Sequence, residues 1–314
     1  MRLDDVKYLV KETFKEWSED KASRLAAALS YYALFSIPPL LIIALAIAGW
    51  WYGQQGAQSQ IQAEIQQYVG PQAAQVIQSM MENASRPGGG LIATVIGVGV
   101  LFLGASGVVV ALQDAMNTIW EVQPRPNRGI RGTIKDRFGS VLTVLVAGVL
   151  VLAVLILHTA LAAVSKHASG LLPFSGVAAQ LIGYGVSLVL FAFLFALIYK
   201  MIPDVNVAWS DVWVGAIVTA VLFLLGNVAI TLYLGRGSTT SSYAAAGSLV
   251  ALLLWIYYST QVIFIGAEFT QVYANHYGSR IRAEEDDIPI TEEERAQQGI
   301  PYREVKGEKA RKVG

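Results

Sequence analysis

The chain has 314 residues, of which 54% are hydrophobic and only 15% are charged, and its formal net charge is zero. Soluble domains carry about 25% charged residues, so this composition excludes an ordinary soluble protein and predicts a polytopic membrane protein. The neutral balance gives no support to nucleic acid as a partner. The absence of cysteine excludes disulfides and thiolate metal sites.

Residues 1–24 predict a cytoplasmic amphipathic helix. Its apolar side chains recur at helical spacing, with lysines and acids on the other faces; they are Leu3, Val6, Val10, Phe14 and Trp17. Such a helix could lie on the membrane surface. Packing against a helix bundle is an equally good interpretation.

Long apolar stretches follow and predict an all-α, six-helix transmembrane bundle over residues 25–277. The predicted spans are residues 25–51, 91–113, 138–164, 179–201, 211–234 and 247–270. The glutamine-rich segment 53–90 predicts a helical cap outside the bilayer. The charged tail, residues 278–314, has too few apolar residues to form a core, so we expect it to be disordered.

The first span contains two consecutive prolines, Pro38 and Pro39. A proline ring removes a backbone donor and clashes with the preceding turn, so we expect the helix to kink or break near Ser36, inside the membrane. Peptide groups freed there must find partners in neighbouring helices or a wet cavity. Broken helices of this kind often mark transporter sites. The alternative is a plain proline kink that only sets packing.

Positive charge predicts the orientation of the bundle. Of the 23 Lys and Arg residues, all but Arg86, Lys166 and Arg236 fall in segments on one side of the predicted membrane. Lys and Arg concentrate in cytoplasmic loops, so both termini are expected to be cytoplasmic, in a prokaryotic plasma (inner) membrane. The segment 53–90 would then face outward.

Polar side chains within the spans are candidates for a substrate path, because such groups are costly in a bilayer. Glu268 shares a helical face with Tyr257 and Gln261 in the sixth span. The path would bind a substrate headgroup, an ion or a proton; the alternative is hydrogen bonding that only fixes packing, at about 0.6 kcal/mol per bond. The candidates are Tyr31, Tyr32, Ser36, Pro38, Pro39, Asp114, Asn117, Asn227, Thr231, Tyr257, Gln261 and Glu268.

The loop 114–137 is basic and could contact anionic lipid headgroups, through Arg125, Arg128, Arg131, Lys135 and Arg137. The sequence has no phosphate-cradling GxxxxGK[ST] motif, no HExxH and no GxSxG. We therefore expect no enzyme activity, no cofactor and no metal site. Membrane lipids are the expected partners, and a homo-oligomer remains open.

Three stretches together resemble the YihY/virulence factor BrkB family of bacterial inner-membrane proteins, over about residues 5–278. They are ASRLAAALSYYALFSIPPLL at 22–41, GASGVVVALQDAMNTIWEV at 104–122 and GSLVALLLWIYYSTQVIFIGAEFTQVYA at 247–274. The resemblance implies a six-helix inner-membrane protein with cytoplasmic termini, and a transporter or exporter of lipid-like substrates. Some members carry the label ribonuclease BN, for which these residues supply no catalytic site.

The sequence thus predicts a transporter or exporter that moves an amphipathic or lipid-like substrate without ATP hydrolysis. The alternative is a membrane scaffold or assembly factor. It would bind partners through the segment 53–90 or through the basic loop.

Overall fold

The computed structural model describes residues 3–69, 74–79, 107–124, 175–236, 244–279, 282–283 and 287–297. The predicted span 138–164 and most of the span 91–113 lie outside these residues. Within them, three stretches are long and apolar enough to cross a membrane, Tyr184–Met201, Trp209–Ile230 and Leu249–His276. They overlap the predicted fourth, fifth and sixth spans.

The chain begins with two helices, α1 (Leu3–Glu19) and α2 (Ala22–Val69). The turn between them is tight, and Lys21 adopts a left-handed φ of 53°. Such a conformation is uncommon for a residue other than glycine. It lets α1 fold back beside the bundle rather than continue into α2.

The expected break at Pro38–Pro39 is absent. The backbone of α2 stays helical through both prolines, and its one non-helical residue is Gly53, with φ 71° and ψ 159°. A proline φ near −65° is itself helical, so the ring can cost a hydrogen bond without ending the helix. Glycine lacks a Cβ and reaches positive φ at little cost. The interruption therefore falls at Gly53, beyond the predicted membrane depth.

Part of the segment 53–90 packs on the bundle. Ile77, in the short helix α3 (74–79), is buried with Leu252 and Ile256, and Ile65 and Leu45 pack against the same cluster. The chain after Gly53 therefore leads back to the side of the bundle. The rest of the predicted cap lies outside the described residues.

The helices α5 (Ser175–Met201), α6 (Trp209–Arg236) and α7 (Ala244–His276) pack closely through glycines. Gly266 of α7 faces Thr219 of α6 and Tyr199 of α5 without room for a Cβ. The Tyr199 hydroxyl lies 2.9 Å from the Thr219 hydroxyl and donates to the Ile263 carbonyl at 2.8 Å. Small residues allow this approach in membrane bundles. Helix α4 (107–119) completes the core through Met116.

The C-terminal tail is folded in part, which corrects the expected disorder. Strand β1 (Val122–Pro124) pairs with β4 (Asp287–Pro289), and β2 (Val205–Asn206) pairs with β3 (Arg282–Ala283), both antiparallel. The short helix α8 (Glu292–Gln297) follows. The tail needs no core of its own, because it pairs with loops between the spans. These elements, α1 and the end of α7 lie at one end of the bundle, which we call the α1 end.

Candidate functional site: the cleft between α1 and α7

Helix α1 runs antiparallel along the last turns of α7. Near its end, the Trp17 indole Nε1 donates to Oε1 of Gln261 at 3.0 Å. Near its start, the Tyr8 ring lies 4.6 Å from the His276 ring, centroid to centroid. These two contacts span the α7 residues between Gln261 and His276, so α1 covers this stretch of α7.

A polar cleft opens between the two helices. It has a volume of about 260 Å³, and one further wall comes from Glu121, just after α4. This volume lies just below the roughly 300–1,000 Å³ of ordinary ligand pockets, so the cleft suits a small solute or the head of a larger molecule. The lining side chains are Tyr8, Glu12, Glu16, Glu121, Gln271, Val272, Asn275 and His276.

The walls of this α1–α7 cleft are rich in carboxylates. Lys15 partly neutralises them: its Nζ lies 2.8 Å from Glu12 Oε1 and 3.6 Å from Glu16 Oε1. The hydrogen bond that Lys15 donates to Glu12 raises the pKa of Lys15, against the lowering effect of partial burial. Lys15 is 48% exposed in its side chain, so its bonds to the acids are surface bonds that a competing cation can replace.

Glu268 lies one turn deeper on α7. It is fully buried, with 0% exposure. Residues three and four positions apart share a helix face, so Glu268 lies on the face that presents Gln271 and Val272 to the cleft. Gln261 lies two turns further along the same face. The α7 face therefore carries polar side chains from the cleft down to the Trp17–Gln261 hydrogen bond.

Buried ion pairs of Arg295 hold the tail against the same region. Arg295 Nη2 lies 2.7 Å from Asp20 Oδ1, and Arg295 Nη1 lies 3.2 Å from Glu121 Oε1. The arginine side chain is 2% exposed and the Asp20 side chain 0%. One guanidinium thus joins the α1–α2 turn to the end of α4. Glu121, which also adopts a positive φ of 59°, belongs both to this ion pair and to the cleft wall.

Asn117, a candidate for the substrate path, bonds to Asp204 and does not line the cleft. Its amide Nδ2 donates to Asp204 Oδ2 at 2.8 Å, its Oδ1 accepts from the Asp204 backbone N–H, and Gln113 Nε2 donates to both carboxylate oxygens of Asp204. This network ties α4 to the loop after α5. Asp211 is structural in the same way, since it accepts from the backbone N–H and hydroxyl of Ser279 at 2.8 Å.

The candidates on α2 do not line the cleft. Tyr31 is 60% exposed and Tyr32 48%, and their rings pack edge to face on the outside of α2. Ser36 is buried and donates to the Tyr32 carbonyl at 2.9 Å, within its own helix. The side chains of Pro38 and Pro39 lie outside the described residues, and the helical backbone there removes the wet break that we expected to organise the path.

Other candidates are dispersed. Asp114 is exposed on α4, and Tyr257 is partly buried on the same α7 face as Gln261. The Asn227 Oδ1 is buried on α6 and makes no hydrogen bond to the part of the chain that the structure describes. The side chain of Thr231 and the whole basic loop, with Arg125, Arg128, Arg131, Lys135 and Arg137, lie outside the described residues.

The sequence did carry one local signal for the folded tail. Thr291 and Glu294 have the spacing of a capping box, and the Glu294 carboxylate accepts from the Thr291 backbone N–H at 2.9 Å and from its hydroxyl at 2.8 Å. These bonds start α8 and hold the pKa of Glu294 below its usual value. No local sequence pattern of this kind indicates the long-range partners of Arg295 and Asp204.

Comparison with known proteins identifies the family. The family model described as virulence factor BrkB matches residues 13–290, nearly the whole described chain. The chain belongs to the virulence factor BrkB family. This confirms the resemblance seen in the three sequence stretches and, with the apolar helices, makes the chain a membrane protein of that family.

Curated BrkB relatives carry the name "UPF0761 membrane protein". One from Halorhodospira halophila is 29% identical over 81% of this chain and 54% of its own length. One from Alkalilimnicola ehrlichii is 30% identical over 89% of this chain and 60% of its own length. The chain thus spans little more than half of these relatives. No solved structure matches it.

Proposed function

We propose that this BrkB-family protein is a transporter or exporter of an amphipathic or lipid-like molecule, with the α1–α7 cleft as its entrance and Glu268 as its coupling group. Movement would be passive, or driven by a proton or cation rather than by ATP. The observation that carries the proposal is the fully buried Glu268 carboxyl, one turn below a polar cleft. An ionisable residue inside a membrane bundle is a functional candidate by default.

The chemistry of the cleft favours a positively charged group on the substrate. Glu12, Glu16 and Glu121 supply carboxylates, while Asn275 and Gln271 add neutral hydrogen-bonding groups. An ammonium group can replace the Lys15 contacts with Glu12 and Glu16, and Tyr8 offers an aromatic face for it. If the bundle is oriented as its positive charges predict, this entrance faces the cytoplasm and the protein exports.

Helix α1 would act as the cover of the path. Its bond to Gln261 and its contacts along α7 close the polar face above and below Glu268. Release of α1 from α7 would connect the cleft to Glu268, and its return would close the connection. Release of α1 takes the place of the expected break at Pro38–Pro39, because the backbone of α2 is helical there.

The scaffold alternative has less support. Its two proposed surfaces are the basic loop, which lies outside the described residues, and the segment 53–90. In that segment, Ile65, Val76 and Ile77 pack on α7 instead of facing a partner.

Reconstitution tests the transport proposal. The full chain is placed in vesicles of phosphatidylethanolamine and phosphatidylglycerol. Proton flux is followed with trapped pyranine under a potassium diffusion potential, and lipid movement with a fluorescent phosphatidylethanolamine quenched by dithionite. We expect flux of at least one probe above empty vesicles, and its loss in Glu268→Gln. Glu293→Gln, an exposed acid on α8, is the matched control and keeps the flux.

Two results would overturn the proposal. One is the absence of both fluxes in the wild-type vesicles. The other is a wild-type rate in Glu268→Gln. The thermal midpoint and elution volume of each purified variant show whether a lost flux reflects lost folding.

A further inference from the structure

Helix α1 presents its apolar stripe away from the protein. We define the stripe as Leu3, Val6, Val10 and Phe14, whose exposures are 81%, 45%, 48% and 53%. Trp17, the fifth apolar residue on this side of the helix, is partly buried and bonds to Gln261, so the stripe ends before it. At 3.6 residues per turn these side chains fall within one narrow sector of the helix. In a soluble protein, the apolar stripe of a surface helix faces the core. Here the bundle leaves the stripe uncovered.

A different face of α1 packs on the bundle. Leu9, Thr13 and Glu16 are buried at 1%, 3% and 8% exposure, and this face lies beside the stripe around the helix. The cleft residue Glu12 lies on the side of α1 opposite the stripe. The exposed Lys11 lies opposite the buried face, between Glu12 and the stripe around the helix. Helix α1 thus has one face on protein, one on the polar cleft and one apolar face that neither of them covers.

A lipid surface is the occupant that fits the apolar face. Helix α1 joins the long apolar helix α2 through a turn of only two residues, Asp20 and Lys21, so it lies at the level where a span meets the membrane boundary. Lys7 borders the stripe and can reach anionic headgroups, as basic residues do beside the buried face of an interfacial helix. Leu and Phe on the stripe supply the apolar part of the same pattern.

We propose that the apolar stripe of α1 is inserted into the boundary between the headgroups and acyl chains of the bilayer. Helix α1 then lies in the plane of the membrane, with lipid on one side and the α1–α7 cleft on the other. The proposal stands apart from transport: α1 can hold this position whether or not Glu268 couples any movement. If transport holds as well, the cover of the path is in direct contact with lipid.

Single cysteines test the position of α1, because the chain contains no cysteine of its own. Val10→Cys and Phe14→Cys report on the stripe, and Lys11→Cys is the matched control on the exposed polar face. Each full-length variant is spin-labelled in nanodiscs of phosphatidylethanolamine and phosphatidylglycerol. Collision rates are then measured with oxygen, which concentrates in lipid, and with a water-soluble nickel chelate.

We expect the labels at Val10 and Phe14 to collide with oxygen severalfold more than with the chelate, and the label at Lys11 to show the reverse. Equal access to the chelate at all three positions would place the stripe in water and overturn the proposal. Low access to both reagents at Val10 and Phe14 would also overturn it, because protein would then cover the stripe. Val6→Cys gives a second stripe position if either variant fails to fold.

Discussion

Arg295 and Asp20 lie 275 positions apart in the chain, yet the Arg295 guanidinium donates to the Asp20 carboxylate at 2.7 Å in a buried contact. The same guanidinium lies 3.2 Å from Glu121. The contact joins three segments at the α1 end: the turn after α1, the end of α4 and the tail. It makes the tail a structural part of the membrane domain.

Removal of either partner should destabilise the protein, because it leaves a buried charge without its main counter-ion. Such losses cost about 3–5 kcal/mol. We expect Arg295→Met to lower the thermal midpoint more than Asp20→Asn, since the arginine serves two carboxylates. The double variant should lose less than the sum of the two single losses. Glu293→Gln, at an exposed position of the same short helix, should change the midpoint far less, because an exposed charge contributes at most about 1 kcal/mol. Additive losses would contradict a direct coupling.

The close packing of α5, α6 and α7 predicts an asymmetry between two helical glycines. A Cβ at Gly266 would lie 2.9 Å from Thr219 Cβ and still closer to the Tyr199 and Thr219 hydroxyls, whereas a Cβ at Gly185 meets nothing within 4 Å. Overpacking costs about 1–3 kcal/mol or more. Gly266→Ala should therefore lower the thermal midpoint, and Gly185→Ala should leave it equal or higher. Equal midpoints in the two variants would show that the helices can separate freely.

The Trp17–Gln261 hydrogen bond should hold α1 against α7. Trp17→Phe removes the indole donor and keeps an aromatic ring, so we expect more frequent release of α1. The measurement is the rate at which a charged thiosulfonate labels Thr13→Cys. Thr13 is 3% exposed and lies on the face of α1 that packs on the bundle. This rate should rise severalfold in the Trp17→Phe background. Labelling of the exposed Lys11→Cys should be the same in both backgrounds. An unchanged rate at Thr13 would show that other contacts suffice to hold α1.

Docking of the tail should depend on pH through Glu294. Bonds from Thr291 hold the pKa of Glu294 below its ordinary value of 4.5. A carboxyl with a lowered folded-state pKa contributes stability at pH above the ordinary value, and the contribution disappears as pH falls through the folded-state pKa. Amide exchange in residues 287–297 should therefore increase at acidic pH. Glu294→Gln cannot titrate at this position. The difference in amide exchange rate between this variant and wild type should therefore shrink once the pH is below the folded-state pKa of Glu294. A constant difference between them from neutral to acidic pH would exclude this role.

Two expectations about the first span and the tail failed for identifiable reasons. Pro38 and Pro39 remove backbone donors, but their φ is compatible with a helix, and the packing of α2 on the bundle keeps it helical. Any of the three glycines of α2, Gly49, Gly53 and Gly56, can adopt positive φ, and the sequence does not indicate that Gly53 is the one that does. The tail is too polar for a core of its own. Its stability comes from strand pairing with β1 and β2 and from the Arg295 ion pairs.

The sequence by itself determined the properties that depend on local order. The apolar stretches around α5, α6 and α7, the helical spacing of the α1 stripe and the family motifs all follow from neighbouring residues. Only the tertiary structure decided which face of α1 the bundle covers, which residue interrupts α2, and that Arg295 meets Asp20 and Glu121. The physical reason is that periodicity defines the faces of a helix, whereas the neighbour of each face is set by contacts between segments far apart in the chain.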